Sequence, residues 1–474
     1  MTLSCDVAII GAGTAGMSAY RAARARTERV LLIEAAHFGT TCARVGCMPS
    51  KLLIAAAEAA EAVRDAHHFG VQAALPRIDG RAVMQRVRSE RDRFVGFVLD
   101  TVNGWPEATR LQGHARITGP RTLDVNGQRI DTKAIVIATG SRPRIPKGWR
   151  ERLGAQLIVN DDVFDWTDLP AAVAVVGAGV IGLELALALH RLGVRVRLFA
   201  RQGRVGPLTD PDLQALSGRL FAEALPLTRH DDALEPMLDG GQVLLNGELF
   251  DLLLCAAGRE PNLDDIGLDA LPHLPRDDDG HPDFDRHTGQ WGDTPLFIAG
   301  DATQDRPLLH EASDAGRIAG DNAARWPDVH RRPRRTPLAV VFSDPQIMLA
   351  GASHAELVAS GCRFDTGRVC FEDQGRSRVM LVNRGALHVY AETGSGRLLG
   401  AEMIGPVAEH LGHLLAWSVQ RGDTVREMLD CPFYHPVIEE GLRTALRQVH
   451  SDLHLPDPPV ENCLDCDTEA EVGG

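Results

Sequence analysis

The stretch VAIIGAGTAGMSAYRAARARTERVLLIE, residues 7–34, decides the fold. Val7-Ala8-Ile9-Ile10 is a short apolar run that reads as a buried strand. Gly11-Ala12-Gly13-Thr14-Ala15-Gly16 follows, and then an alanine-rich helical stretch to about residue 26. Residues 30–33 form the next apolar strand, closed by Glu34. Strand, glycine turn, helix and strand make a βαβ unit, with GxGxxG in its turn and an acid ending its second strand. The first glycine permits the tight turn. The second lets the backbone approach a pyrophosphate, and the third lets helix and strand pack closely. The helix N-terminus supplies N–H donors and a positive dipole end to the phosphates.

The same unit recurs. Residues 173–176 are apolar, Gly177-Ala178-Gly179-Val180-Ile181-Gly182 follows, then a helical stretch over 183–192 and a strand over 194–199. One such motif is a weak signal, because glycine-rich turns are common. Two, each set between a strand and a helix, outweigh the bland alternative of two Rossmann-like folds without nucleotide.

Around these units the chain is ordinary for a globular protein. Its 474 residues, 44% hydrophobic and 24% charged, carry material for about three domains. The net charge of −14 repels phosphate backbones, so nucleic acid is not an expected partner. No long uninterrupted apolar run predicts a membrane span, and the opening MTLSCDVAIIGAG shows no secretory signal. Nine cysteines, an odd number, argue against an extracellular disulfide framework. Cytoplasm is the expected compartment, and any disulfide there should be catalytic or regulatory.

Residues 52–66 and 79–101 read as helices with charged outer faces. Residues 111–137 alternate like an antiparallel sheet, with Asn126-Gly127 as a hairpin turn. Pro143, Pro146 and the segment to Pro170 read as a linker. Residues 293–323 return to strand, turn and helix. Arg331-Arg332-Pro333-Arg334-Arg335 reads as a solvated linker ahead of a third, mixed domain over 336–452. From 453 the chain turns acidic, without Lys or Arg, and reads as a loosely docked tail.

The strongest chemical signal is Thr41-Cys42-Ala43-Arg44-Val45-Gly46-Cys47-Met48-Pro49-Ser50-Lys51. Two cysteines at this separation, at the entrance of a helix, can close a small disulfide ring. A helix N-terminus favours thiolate and makes a sulfur a better nucleophile and leaving group. Two buried structural cysteines are the bland alternative. Half of a zinc site is another, but no cluster at zinc spacing completes it, so no metal is expected.

These motifs, taken together, resemble class I pyridine nucleotide–disulfide oxidoreductases, the flavoproteins that include dihydrolipoamide dehydrogenase, glutathione reductase and mercuric reductase. The resemblance runs from about residue 4 to about residue 450. It rests on GAGTAG at 11–16, TCARVGCMPSK at 41–51, ATGSRP at 138–143, GAGVIGLE at 177–184, AAGREPN at 256–262, FIAGD at 297–301 and HPVIEE at 435–440. It implies an α/β fold with two Rossmann-like dinucleotide-binding domains and a C-terminal α+β dimerisation domain. The expected division is 1–150 with 266–335 for FAD, 151–265 for NAD(P), 336–452 for dimerisation, and an acidic tail over 453–474.

The resemblance also implies roles. Gly11, Gly13 and Gly16 would face the FAD pyrophosphate and Glu34 its adenosine ribose. Thr139, Gly140 and Gly258 would lie in the cofactor-binding loops, and Asp301 would bond the ribityl chain. A helix starting near His310 would aim its positive end at the flavin pyrimidine. Lys51 and Glu184 match a pair beside the flavin. FAD would reduce a Cys42–Cys47 disulfide, with Cys47 nearer the flavin and Cys42 exchanging with substrate sulfur. His435, oriented by Glu440, would reach the disulfide of the other subunit as its acid/base. Residues five apart are poor neighbours on one helix face. The pair can meet if Pro436 opens the helix and His435 lies just outside it. Val437 stands where the family usually has Thr, and Glu439 could compete with Glu440.

The second unit, with Gly177, Gly179 and Gly182, would hold the nicotinamide cofactor. The offset from Gly11 to Glu34, applied to Gly177, lands on Ala200, followed by Arg201-Gln202-Gly203-Arg204. A carboxylate there would bond the 2′-OH of NAD(H). Its replacement by Arg201 and Arg204 suits a 2′-phosphate, so NADP(H) is favoured over NAD(H). The pattern is closest to dihydrolipoamide dehydrogenase, acting on a small-molecule or protein-bound dithiol or disulfide. An NADPH-dependent disulfide reductase of the glutathione or thioredoxin reductase type is the alternative, and a slow flavin-binding redox sensor is a third. Cys463-Leu464-Asp465-Cys466, outside the resemblance, could relay electrons to a bulky partner or be incidental.

Overall fold

The computed structural model describes residues 3–454. The chain divides into two compact units: Met1–Ala174 with Arg191–Arg195 and Glu235–Arg334, and Val175–His190 with Val196–Leu234 and the residues from Arg335 onward.

The first unit is built on a five-stranded sheet ordered Leu296–Ile298, Ala134–Ile137, Val7–Ile10, Val30–Glu34, Arg110–Gln112. Its strands are parallel, with Val7 opposite both Val30 and Ala134. Successive side chains of a strand point to opposite faces. Here both faces are covered, so the strands can be apolar throughout. Val7, Ile9, Val30, Leu32 and Val136 enter one core with the helices Thr14–Arg24 and Leu309–Arg325. Ala8, Ile10, Leu31, Ile33 and Ile135 enter another, roofed by a small sheet. That sheet pairs Ala115–Gly119, Thr122–Val125 and Gln128–Asp131 as antiparallel neighbours. The predicted hairpin at Asn126-Gly127 is there, with both residues at positive φ. The alternation expected over 111–137 ends early, because 134–137 belongs to the parallel sheet.

The two covering helices touch backbone to backbone. A Cβ on Gly316 would stand 2.1 Å from the Ala15 carbonyl oxygen, and one on Gly320 2.2 Å from that of Ala19. The expected linker from Pro143 to Pro170 is instead folded. It contains the helices Trp149–Leu153 and Asn160–Val163, and a strand Leu157–Ile158 parallel to Leu252–Cys255. Buried Trp149, Leu153 and Phe164 hold it down. The basic run has no helix or strand, the division between the two units falls within it, and Arg331, Pro333 and Arg335 are exposed, but several of its arginines are paired. Arg331 pairs with Asp285 at 2.5 Å and Arg332 with Asp321 at 3.3 Å. Arg334, with its side chain only 11% exposed, pairs with the buried Glu311 at 2.5 Å.

In the second unit the helix Pro211–Ala224 connects parallel strands Arg195–Arg201 and Leu227–His230. A five-stranded antiparallel sheet follows, ordered Leu338–Val341, Gln346–Gly351, Leu398–Gly405, Ala386–Glu392, Phe364–Cys370. The helices Ala408–Arg421 and Glu439–Asp452 share its core. A buried polar cluster ties the Pro211–Ala224 helix to this sheet. Asp210 caps the helix through the N–H groups of Asp212 and Leu213, at 2.9 and 3.2 Å. Its other oxygen accepts from His388 Nδ1 at 2.8 Å and Tyr390 OH at 3.2 Å. Fully buried Glu402 accepts from the N–H groups of Thr209, Asp210 and His354 and from the Thr209 hydroxyl.

Candidate active site

The thiol pair is placed by two consecutive helices. Thr40 caps the short helix Thr41–Val45, its Oγ1 accepting the Ala43 N–H at 3.1 Å. The helix Cys47–Asp65 begins directly after Gly46. A Cβ on Gly46 would lie 3.1 Å from Cys42 Cα and 3.2 Å from the Thr41 carbonyl oxygen, so a bare backbone lets the two turns close up. Cys42 and Cys47 are in the dithiol form, their side chains in hydrogen-bond contact with each other. The N–H groups of Cys47 and Met48, at the second helix's N-terminus, donate to the Cys42 sulfur. The Cys47 contact, with burial, still pushes the Cys42 thiol well above its ordinary range, outweighing those donors. Ser50 Oγ donates to the Cys47 carbonyl at 3.1 Å, and Lys51 Nζ to Ser50 Oγ at 3.3 Å. Asn160, within the segment expected to be a linker, donates to the Val45 carbonyl at 3.1 Å.

Lys51 belongs to the first unit and Glu184 to the second. Glu184 is buried and accepts the Phe342 N–H at 2.9 Å.

The first glycine turn has the shape that a dinucleotide needs. Gly11 sits at φ +101, where a side chain is strained, and Gly16 packs against the Gly11 carbonyl with no space for a Cβ. Gly13 is different: nothing lies within 4 Å of a Cβ built there, so its backbone faces open space. It begins the Thr14–Arg24 helix with no side-chain cap. Glu34 is held by the N–H groups of Ala12 at 2.8 Å and Ala36 at 2.9 Å. Thr139 Oγ1 is buried with no partner among the described residues. An uncapped helix start, an open cradle and an orphaned hydroxyl fit FAD.

Three residues join this site that sequence reasoning missed. Ser141 Oγ donates to Asp301 at 2.8 Å and accepts from Arg259 Nε at 2.8 Å. Asn262 bonds the carbonyls of Thr139 and Gly140, both at 3.0 Å. All three lie inside quoted motifs, ATGSRP and AAGREPN, beside the residues singled out there. Gly258 sits at φ +104 with open space at its Cβ position. The helix bearing His310 starts at Leu309, as expected near that position, and has no side-chain cap.

The second glycine turn repeats the first. Gly177 has φ +106 and donates its N–H to the Phe199 carbonyl at 3.0 Å. Gly179 faces open space as Gly13 does, and Gly182 lies in the helix Val180–Arg191. Ala200 is buried, and Arg201 and Arg204 are exposed.

His435 and Glu440 meet, but not as expected. The helix begins at Glu439, not Pro436. Residues 435–438 lie outside it, which frees the imidazole from the five-residue spacing. Its Nδ1 lies 3.1 and 3.3 Å from the two Glu440 oxygens, with the imidazole side chain 65% exposed and the carboxylate 10%. Glu440 also accepts the Val437 N–H at 3.1 Å and faces Arg443 at 3.8 Å. Glu440, not Glu439, therefore orients the ring.

Among the described residues no helix is long and apolar enough to cross a membrane. Comparison with known proteins agrees with the geometry. The mercuric reductase of Acidithiobacillus ferrooxidans is 32% identical over 473 residues, covering 94% of this chain and 83% of that protein. The dihydrolipoyl dehydrogenase of Thermus scotoductus is 28% identical, covering 95% and 98%. Among solved structures, a Cu(II) complex of the HOCl-induced flavoprotein disulfide reductase RclA from Escherichia coli has the same fold. It superposes with a TM-score of 0.77 at 21% identity, over 94% of this chain and 99% of that one. Residues 338–446 match the dimerisation domain of the pyridine nucleotide-disulphide oxidoreductases. Residues 5–316 match the main domain of the same family, and the chain is a member of it: a flavin-dependent pyridine nucleotide-disulphide oxidoreductase.

Proposed function

We propose that the chain, as a homodimer, passes electrons between NADP(H) and a dithiol or disulfide substrate through Cys42 and Cys47, in the manner of a dihydrolipoyl dehydrogenase. The observation that carries this reading is the thiol pair itself: two sulfurs in mutual contact across Gly46. When bound, FAD supplies the relay between a two-electron hydride donor and a sulfur pair. Gly11, Gly13 and Gly16 would seat its pyrophosphate and Glu34 its ribose, Thr139 and Gly140 would lie beside it, and Asp301 would bond its ribityl chain. Lys51 and the helix that carries His310 would set the charge around its ring.

The sulfur chemistry belongs to the protein. Cys42 as thiolate attacks a substrate disulfide, expelling one substrate thiolate and leaving a mixed disulfide. Cys47 then attacks Cys42, which expels the second substrate thiolate and closes the Cys42–Cys47 bond. His435 moves the protons, taking one from Cys42 and returning one to the leaving sulfur, while Glu440 holds the ring in place. A dithiol substrate runs the sequence backwards. The division into FAD, NAD(P) and dimerisation domains drawn from the sequence is part of this reading.

The coenzyme choice rests on Ala200, Arg201 and Arg204. It also favours a second reading, an NADPH-dependent reductase of a small disulfide. The test uses the Cys42→Ser holoenzyme, assayed with NADPH and NADH against lipoamide, glutathione disulfide and a dye acceptor. We expect disulfide turnover to fall at least about a thousandfold while NADPH-to-dye activity persists. Retained disulfide turnover overturns the Cys42 role, and a wild-type preference for NADH overturns the coenzyme assignment.

A further inference from the structure

We propose that Arg229 is a third specificity-determining cation of the coenzyme site, reading the 2′-phosphate of NADPH together with Arg201 and Arg204. The inference rests on the NADP(H) reading above and deepens it.

The strand Arg195–Arg201 offers no polar side chain at Ala200, where a carboxylate would hold a ribose hydroxyl. Its parallel neighbour Leu227–His230 pairs with it in the register Ala200 opposite Arg229 and Arg201 opposite His230. Arg229 therefore stands at the same carboxyl edge, and in open parallel sheets ligands bind in the crevice outside that edge. Sequence offsets measured along one strand cannot find a residue contributed by the next.

The turn after Arg201 folds back toward Arg229. Gln202 and Gly203 both have positive φ, and the Gln202 N–H donates to the His230 carbonyl at 2.8 Å. A Cβ on Gly203 would lie 3.4 Å from Arg229 Cδ and 3.7 Å from its Cγ. The stem of Arg229 thus runs along the bare face of Gly203, inside the turn that carries Arg201 and Arg204.

The guanidinium is weakly held. Its closest carboxylate is Asp231, at 3.4 Å to each oxygen, with side chains 66% and 60% exposed. That distance is beyond a good charge-assisted bond, and an exposed pair of this kind holds loosely. A phosphate dianion offers the same fork a stronger partner. Arg229 can leave Asp231 for the phosphate, and Asp231 competes for it.

The test compares wild-type, Arg229→Gln and Asp231→Asn holoenzymes. The readouts are kcat/KM for NADPH and NADH, and calorimetric binding of 2′,5′-ADP and 5′-ADP. Arg229→Gln should lower kcat/KM for NADPH about tenfold and leave NADH within about twofold, as expected for one lost phosphate contact. It should weaken 2′,5′-ADP but not 5′-ADP, and Asp231→Asn should tighten 2′,5′-ADP. Equal weakening of both nucleotides in Arg229→Gln would mark a structural defect and overturn the assignment. A wild type that prefers NADPH, with an Arg229→Gln variant of unchanged coenzyme ratio, overturns Arg229 alone. A wild type that prefers NADH removes the coenzyme reading beneath it.

Discussion

Gly46 is where backbone geometry meets redox chemistry. A methyl group there would press on Cys42 Cα and the Thr41 carbonyl, at 3.1 and 3.2 Å, and neither is the free end of a side chain. The two turns must part to admit it, and the sulfurs part with them. We expect Gly46→Ala to make the Cys42–Cys47 disulfide about tenfold easier to reduce, read by equilibration in glutathione redox buffers. An unchanged equilibrium constant would show that the turn has slack. The two cysteines and the glycine between them are legible in the sequence. What is not legible is Asn160 on the Val45 carbonyl, because nothing local ties residue 160 to residue 45.

At the level of elements, Asp210 shows how a local signal acquires a distant partner. Asp followed by Pro reads as a helix cap and first position. His388, Tyr390 and Glu402, which complete the cluster, come from strands far along the chain, so no periodicity announces them. Burial alone would raise the Asp210 carboxyl, but the His388 hydrogen bond and charge, with two helix N–H donors, bring it down to about 2. The folded carboxyl then binds its proton more weakly than the unfolded one. Its stabilisation is complete above the ordinary carboxylate range and is lost as pH falls toward about 2, worth about 2 kcal/mol. Asp210→Asn should lose that amount at pH 7 and flatten the stability curve between about pH 4 and pH 2, as followed by urea unfolding. A mutant curve parallel to wild type would refute the ion-pair account. The same contrast holds for the 143–170 segment. Its prolines mark breaks, and its elements are only two to five residues long. Their order comes from burying Trp149, Leu153 and Phe164, which propensity cannot foresee.

On the scale of the whole molecule, the proposed scheme requires two chains to make one site. Cys42→Ser and His435→Gln subunits, each inactive on disulfide, can be dissociated and reassociated together. A hybrid dimer pairs the intact thiols of one chain with the intact imidazole of the other. Random mixing makes half of the dimers hybrids with one good site each, so roughly a quarter of wild-type activity should return. No recovery, with hybrids verified by mass spectrometry, would place His435 on its own chain's thiols. The large plan was readable because two glycine turns repeat between apolar strands. Cys463 and Cys466 lie outside the described residues, and their relay is an expectation from sequence only.

The seam where Gly316 and Gly320 meet Ala15 and Ala19 has a consequence for biosynthesis. The floor beneath the first nucleotide turn is supplied by a helix near residue 320, and Leu296–Ile298 completes the sheet beside Ala134–Ile137. A nascent chain leaving the ribosome therefore exposes its opening motif long before its counterpart emerges. The intervening second glycine-turn region is translated in full during that wait, so the first nucleotide turn, made before its counterpart, is finished only after it.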